Sequence, residues 1–126
     1  MTEIIIIRHG ETEWNKTGRF QGHSDVPLSA EGRAQAAMLG ENLAVDHVDM
    51  IYASDLTRAM ETAAPLAARL GLTVVPDPAL RELHFGAWEG RFFSEIDTED
   101  PETLKHFYRD PEHANIPDSE DFSVFQ

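Results

Sequence analysis

The chain of 126 residues is 41% hydrophobic and 26% charged, which are the length and composition of one globular domain with its own core. Its 23 acidic residues outnumber ten Lys and Arg, and the net charge of −13 argues against nucleic acid and anionic membranes as partners. Cysteine is absent, which excludes a disulfide framework and a zinc-thiolate site, and the N-terminal apolar run is too short for a signal peptide, so we expect a cytoplasmic protein.

The first apolar segment, residues 4–7, runs directly into Arg8 and His9. Four isoleucines without polar alternation predict a strand buried on both faces, as in a parallel sheet covered by helices. Ligands of such folds bind beyond the carboxyl ends of the strands, which is where Arg8 and His9 lie. An arginine beside a histidine suits a phosphate anion, whereas a loop histidine without partners elsewhere in the chain is usually an ordinary polar residue.

A polar loop dotted with aromatic residues follows, and loops of this length are usually functional. It ends at Ser29, which is a suitable N-cap for a helix. Apolar and small residues then recur at helical spacing from Ala36 to Ala44. The sequence therefore predicts a helix that faces the core.

Two further strands are predicted, at residues 50–53 and 72–75, with a helix between them that begins near Leu56 and is closed by Gly71. Pro65 lies inside this helix and is expected to bend it, because proline removes one backbone hydrogen bond. Three short strands separated by helices indicate right-handed crossovers in a mainly parallel sheet. The predicted fold class is therefore α/β.

Arg58 follows the second predicted strand. If Ser54 or Asp55 caps the helix, Arg58 lies in its first turn, where its guanidinium and the exposed amides can face the same pocket mouth as Arg8 and His9. The alternative is a solvated pairing of Arg58 with Asp55 or Glu61 along the helix.

Glu82 lies between apolar residues in a loop rich in glycine and aromatic residues, after the third predicted strand. A carboxyl group in such a setting can have a raised pKa and act as a proton donor. The alternative is an ordinary surface glutamate. His23 and His84 lie near these motifs, and for each we weigh a substrate contact against loop packing.

Residues 91–126 form a more acidic tail, with ten acidic and three basic residues, and read as helix and loop around the core of a single domain, residues 1–126. His47, His106 and His113 are interpreted as structural or exposed. The sequence contains neither a His-Glu-x-x-His pattern nor a close histidine pair, so no metal and no other cofactor is expected.

Four segments, in order along residues 4–90, resemble the histidine phosphatase superfamily, which includes the cofactor-dependent phosphoglycerate mutases. They are Arg8-His9-Gly10-Glu11-Thr12-Glu13-Trp14-Asn15; Gln21-Gly22 through Pro27-Leu28-Ser29; Ala53-Ser54-Asp55-Leu56-Thr57-Arg58-Ala59 with Glu61-Thr62-Ala63; and Leu80-Arg81-Glu82-Leu83 with Phe85-Gly86-Ala87-Trp88-Glu89-Gly90. The resemblance implies a three-layer α/β/α fold, phosphoglycerate mutase-like, with a mainly parallel sheet.

The resemblance also implies site roles. His9 is the nucleophile that becomes a phosphohistidine, and Glu82 is the proton donor. Arg8 and Arg58 clamp the phosphate. The remaining implied contacts, to phosphate or substrate, are those of Asn15, Gln21 and Gly22.

The family places a second histidine on a later strand, for which this sequence has no counterpart, so we expect either a C-terminally incomplete chain or a shortened relative. The expected activity is that of a phosphatase on a small phosphorylated metabolite. The alternatives are mutase-type phosphoryl transfer and a catalytically weak phosphate-binding fragment. In the resembling fold, the absent strand would pair beside residues 3–7, so we also expect self-association, as a homodimer, through that uncovered strand.

Overall fold

The computed structural model describes residues 2–122 and contains a two-stranded parallel sheet with helices around it. Strand β1 (Ile51–Ala53) pairs with β2 (Val74–Pro76) in the register Ile51 to Val74, and helix α3 (Thr57–Leu70) connects the two strands. This β-α-β unit confirms the predicted parallel crossover. The fold is of the predicted α/β class.

The other helices lie on either side of this unit in the sequence. They are α1 (Glu13–Thr17), α2 (Ala30–Asn42), α4 (Phe93–Glu99) and α5 (Pro101–Arg109). Within residues 2–122, short 3-10 turns cover Pro78–Leu80, Gly86–Trp88 and Pro111–His113. None of the helices in residues 2–122 has the length and apolar character needed to cross a membrane.

Helices α2 and α3 pack against each other where Gly40 meets Pro65. A Cβ atom added at Gly40 would lie 2.8 Å from the Pro65 Cβ, so only glycine permits this approach. The predicted caps are confirmed at two ends: the Ser29 hydroxyl accepts the Gly32 N–H at the start of α2, and Gly71 ends α3 in the left-handed conformation. Pro65 lies within α3 as predicted, and the bend stays a prediction.

An aromatic core joins the first loop, the 82–90 loop and the acidic tail. The Phe20 ring lies 5.2 Å from Phe85 and 5.1 Å from Trp88, centroid to centroid. Ile96 of α4 and Leu104 of α5 are buried in the same cluster. Aromatic pairs of this kind contribute about 0.5–1.5 kcal/mol each beyond the area they bury. The tail therefore packs as helix and loop against the core.

The structure contradicts the predicted buried strand at the N-terminus. Residues 2–11 form no strand in the described part of the chain, and Ile4 and Ile6 are 77% and 91% exposed. Ile5 and Ile7 are less exposed, at 45% and 39%, so every second side chain turns toward the molecule. A strand needs a hydrogen-bonded neighbour, and the described sheet pairs only β1 with β2.

We predict that the 126-residue polypeptide self-associates through residues 4–7, because apolar side chains gain free energy when they leave water. The net charge of −13 opposes association, but salt confines that repulsion to about 10 Å. Light scattering after size-exclusion chromatography should show a species larger than the monomer at low and high salt. The double variant Ile4→Ser, Ile6→Ser should be monomeric.

Met38→Ser is the matched control, because Met38 is an exposed apolar residue on α2, away from this segment. It should leave the association unchanged. A compact monomer of the unmodified chain at both salt concentrations would contradict the prediction.

Candidate active site

The loop that carries His9 lies on the N-terminal end of α2. The Ser29 N–H donates to the Glu11 carbonyl over 2.8 Å, and the Gly10 N–H donates to the Thr62 hydroxyl of α3 over 2.9 Å. A Cβ atom at Gly10 would lie 2.8 Å from the Gly32 carbonyl oxygen. Two glycines that face each other thus let the loop approach the helix, which fixes His9 between α2 and α3.

His9 presents one nitrogen to a carboxylate. Its Nδ1 lies 2.6 Å from the Gly10 carbonyl oxygen, so Nδ1 carries the hydrogen and donates. Nε2 then holds the lone pair in the neutral ring and lies 3.8 Å from Glu82 Oε2. The half-buried ring is therefore held in the tautomer that a nitrogen nucleophile requires.

Arg58 is the buried cation of the site, with 2% of its surface exposed. Its guanidinium donates to the carbonyls of Gly22 and Ser24, each over 2.7 Å, and to Glu82 Oε2 over 3.1 Å. Neither of the alternative partners, Asp55 and Glu61, is among its contacts. The solvated pairing along the helix is therefore wrong, and Arg58 joins the loop of residues 21–28 to Glu82.

The start of α3 differs from the prediction. The N-cap is Leu56, and Asp25 of the first loop accepts the Thr57 N–H over 2.7 Å and the Thr57 hydroxyl over 3.1 Å. Ser54 accepts only the Leu56 N–H, and Asp55 forms a bidentate pair with Arg81 at 2.6 Å. The hydrogen bonds from Arg81 lower the pKa of Asp55. The helix dipole is thus complemented by a carboxylate distant in sequence.

The predicted raised pKa of Glu82 is wrong in direction. A hydrogen bond from the His9 ring, donated when both ring nitrogens carry a hydrogen, and then the Arg58 guanidinium, hold the pKa of the Glu82 carboxyl below its usual range and outweigh its partial burial. With its side chain 49% exposed, Glu82 is ionised at neutral pH. Because the folded-state pKa is the lower one, this carboxylate contributes stability above about pH 4 and loses it as the pH falls further.

Thr12, Asn15 and Gln21 form a hydrogen-bonded group beside the loop. The fully buried Thr12 hydroxyl donates to Gln21 Oε1 over 2.6 Å, and the Thr12 N–H donates to Asn15 Oδ1 over 2.9 Å. In the structure, Asn15 therefore completes the cap of α1, and Gln21 holds the loop through its hydrogen bond with Thr12. Their contacts to phosphate or substrate stay predictions.

The structure does not bring every predicted residue together. His9, Arg58 and Glu82 form one contact group, and Gly22 joins it through its carbonyl. Arg8 is exposed and makes no hydrogen bond or ion pair with any residue in the range 2–122. Its role as a second phosphate clamp stays a prediction.

Sequence reasoning missed Glu89 and Glu120, two carboxylates that organise this region. Glu89 accepts the His23 N–H, and Glu120 accepts the His84 N–H. The rings of His23 and His84 meet edge to face, 4.9 Å apart, and the His23 Nε2 lies 2.8 Å from the Glu82 carbonyl oxygen. Both histidines therefore pack in the loops, while their substrate contacts stay untested. Within residues 2–122, no group of three or more acidic, His or Cys side chains is arranged to hold a metal ion.

Comparison with known proteins assigns the family. Residues 4–126 match the profile described as the histidine phosphatase superfamily (branch 1). The chain belongs to this superfamily. The resemblance inferred from the four sequence segments is thereby confirmed.

Individual members of the histidine phosphatase superfamily agree with this assignment. Phosphoglycerate mutase-like protein 4 of Arabidopsis thaliana is 42% identical over 91% of this chain and 51% of its own length. Phosphoserine phosphatase 1 of Hydrogenobacter thermophilus is 34% identical over 95% of this chain and 57% of its own length. The structure of a mycobacterial glucosyl-3-phosphoglycerate phosphatase with VO3 is 40% identical, with a TM-score of 0.79, over 84% of this chain and 53% of that chain. The chain thus spans about half the length of the relatives it matches.

We expect Arg58→Lys to destabilise the protein, because an ammonium group cannot satisfy two carbonyls and a carboxylate in the fixed geometry of a guanidinium. Unpaired buried acceptors cost about 1–3 kcal/mol, so the free energy of unfolding should fall by about 2 kcal/mol, measured by urea denaturation at neutral pH. The control is Arg33→Lys, since exposed Arg33 donates one hydrogen bond, to the Leu28 carbonyl. Equal losses of unfolding free energy in Arg58→Lys and Arg33→Lys would contradict a structural role for the three hydrogen bonds of the Arg58 guanidinium.

Proposed function

We propose that the chain is the nucleophile-bearing part of a phosphatase that hydrolyses small phosphorylated metabolites through a phosphohistidine at His9. The observation that carries this proposal is the geometry of His9. Its Nδ1–H donates to the Gly10 carbonyl, and its Nε2 lies 3.8 Å from Glu82, which Arg58 also contacts. A nucleophile, a carboxylate and a buried cation therefore meet at one point.

In the first step, the Nε2 lone pair of His9 attacks phosphorus. The nitrogen–phosphorus bond forms while the bond to the leaving oxygen breaks. The ring gains positive charge as it reacts, and the hydrogen bond from Nδ1 to the Gly10 carbonyl stabilises that charge. The backbone therefore both sets the tautomer and assists the transfer.

Glu82 handles the proton. The free carboxylate is ionised, because His9 and Arg58 lower its pKa. An incoming phosphate adds negative charge beside it, which favours the protonated form, and a phosphate monoester monoanion, with a second pKa of about 6, brings the required proton. Glu82 then protonates the leaving alkoxide. In the second step it takes a proton from the water that attacks phosphorus, and the bond to His9 breaks.

Arg58 supplies charge stabilisation without a metal in this proposal. A guanidinium has five N–H donors, and the described contacts of Arg58 are three hydrogen bonds. The remaining donors suit the equatorial oxygens of a transferring phosphoryl group. We assign Arg8, which is exposed next to His9, to the same group when the substrate is bound.

Mutase-type transfer is the second candidate, because several relatives are called phosphoglycerate mutase-like protein or probable phosphoglycerate mutase. A mutase must keep water away from the phosphohistidine. Glu82 is half exposed beside His9, so water can reach this position, which favours hydrolysis. The two relatives called phosphatases, one of them in complex with VO3, support the same choice.

The decisive experiment follows the phosphoryl group. The protein should release phosphate from a chromogenic ester and acquire a label that is labile in acid and stable in base. His9→Ala should lose both the phosphate release and the label. The control is His47→Ala, because His47 is exposed and paired with Asp49, and it should retain both. A label that persists in His9→Ala would show that another residue is the nucleophile. Phosphate binding without turnover would identify a phosphate-binding fragment.

Glu82→Gln should discriminate between leaving groups. Esters of alcohols with high pKa need a proton on the departing oxygen and should slow by about 10²–10⁴-fold, whereas esters of acidic phenols should slow much less. The measurement is kcat/KM across a series of leaving groups for both proteins. An equal loss of kcat/KM for all leaving groups would show that Glu82 is not the proton donor.

A further inference from the structure

We propose that Glu89 is a positioning residue for Arg58, acting through the turn formed by residues 22–24. This inference rests on the proposed phosphoryl transfer at His9. It assigns a role to a carboxylate that makes no described contact with His9 or Arg58. A chain of hydrogen bonds runs from Glu89 to the 22–24 turn and from the turn to Arg58.

Glu89 binds the 22–24 turn with both carboxylate oxygens. Oε1 accepts the His23 N–H over 2.6 Å, and Oε2 accepts the Ser24 hydroxyl over 3.1 Å. Oε1 also accepts the Phe85 N–H at 3.4 Å. The Glu89 side chain is 15% exposed, so these bonds lie largely away from competing water.

The same turn supplies two of the three acceptors of Arg58. The carbonyls of Gly22 and Ser24 each accept a guanidinium N–H over 2.7 Å, and they flank His23, whose N–H is held by Glu89. A displacement of the turn therefore moves both carbonyls at once. The Arg58 guanidinium would then lose the two bonds that point it toward the site and keep only its ion pair with Glu82.

Close packing adds to these hydrogen bonds. Gly22 has a φ of +55°, and a Cβ atom there would meet the Glu89 carboxylate and lie 2.8 Å from the Leu83 carbonyl. The turn thus lies directly against the 82–90 loop, with no room for a side chain. Since its carbonyls are oriented by contact with that loop, Glu89 fixes their direction as well as their position.

Glu89 is itself held in place by the aromatic core. The Gly90 N–H donates to the Phe20 carbonyl over 2.8 Å, and the Glu89 N–H donates to the Gly86 carbonyl over 3.1 Å. Trp88, the preceding residue, is buried against Phe20. The carboxylate is therefore presented from a rigid segment, as a positioning residue requires.

Two substitutions separate the geometry of Glu89 from its charge. Glu89→Gln keeps the side-chain length, so one oxygen can accept the His23 N–H while the amide NH₂ donates to the Ser24 hydroxyl. Glu89→Asp keeps the charge but withdraws both oxygens by one methylene. We measure inorganic phosphate binding to the full chain, together with the NMR signals of the His23 amide and the Arg58 guanidinium.

Glu89→Gln should bind phosphate within threefold of the unmodified chain and keep both NMR signals. Glu89→Asp should bind at least tenfold more weakly and shift both signals. Glu95→Asp is the matched control, because Glu95 also accepts a backbone N–H, that of Phe92, away from the turn. It should resemble the unmodified chain.

The opposite ranking, with Glu89→Asp normal and Glu89→Gln impaired, would overturn the proposal in favour of a charge effect. Unchanged Arg58 signals in Glu89→Asp would also overturn it, whatever the binding result. If the unmodified chain binds no phosphate, the proposed function fails at this site. The NMR signals of the His23 amide and the Arg58 guanidinium then show by themselves whether Glu89 positions Arg58. Glu89→Asp could also lower the fraction of folded molecules, but the folded molecules would then bind phosphate with an unchanged dissociation constant. A higher dissociation constant of the folded protein therefore indicates a positioning role.

Discussion

The site depends on one buried guanidinium. Arg58 is almost fully enclosed, and a buried charge is tolerated only when its hydrogen bonds are made. Two carbonyls of the 22–24 turn and the Glu82 carboxylate satisfy it. Because those acceptors come from two loops distant in sequence, neutralising one charge also fixes the relative position of the loops. Folding of the loops and assembly of the proposed phosphate site are thus the same event.

The electrostatics of the site follow from this arrangement. His9 first and Arg58 second lower the pKa of Glu82, whose carboxylate lies beside the Nε2 of His9. In the phosphatase reaction proposed here, a phosphate that enters competes with Glu82 for the guanidinium, which weakens the ion pair and raises the proton affinity of the carboxyl. In the proposed mechanism, the group that binds the substrate therefore also controls when the proton donor is charged. Glu82 can therefore donate a proton in the proposed mechanism without a pKa that is raised in the free protein.

Local features of the fold could be predicted from the sequence, and features set by distant partners could not. Ser29 and Gly71 act on their own helices, so their caps were predictable from neighbouring residues. Asp25 caps α3 although the two residues it joins, Asp25 and Thr57, are 32 positions apart, and no local sequence pattern shows this.

Residues 4–7 have the composition of a strand but lack a neighbouring strand in the described sheet. The pKa of Glu82 is set by two groups, His9 and Arg58, that the composition of its loop does not place beside it. The structure brings the motif residues His9, Arg58 and Glu82 into contact, and their chemical roles stay predictions. Glu89 was missed because two of its partners, His23 and Ser24, lie 66 and 65 positions away.

The acidic tail matters to this site through the 82–90 loop. The Ala87 N–H donates to the Pro117 carbonyl over 2.7 Å, and a side chain at Gly86 would collide with the backbone of residues 117–119. Glu120 adds a hydrogen bond to the backbone of His84. The loop that carries Glu82 and Glu89 is therefore held between the Phe20 region on one side and the tail on the other. Since Arg58 makes its hydrogen bonds to that loop and to the turn packed on it, residues far from the proposed phosphate site contribute to the position of its buried charge.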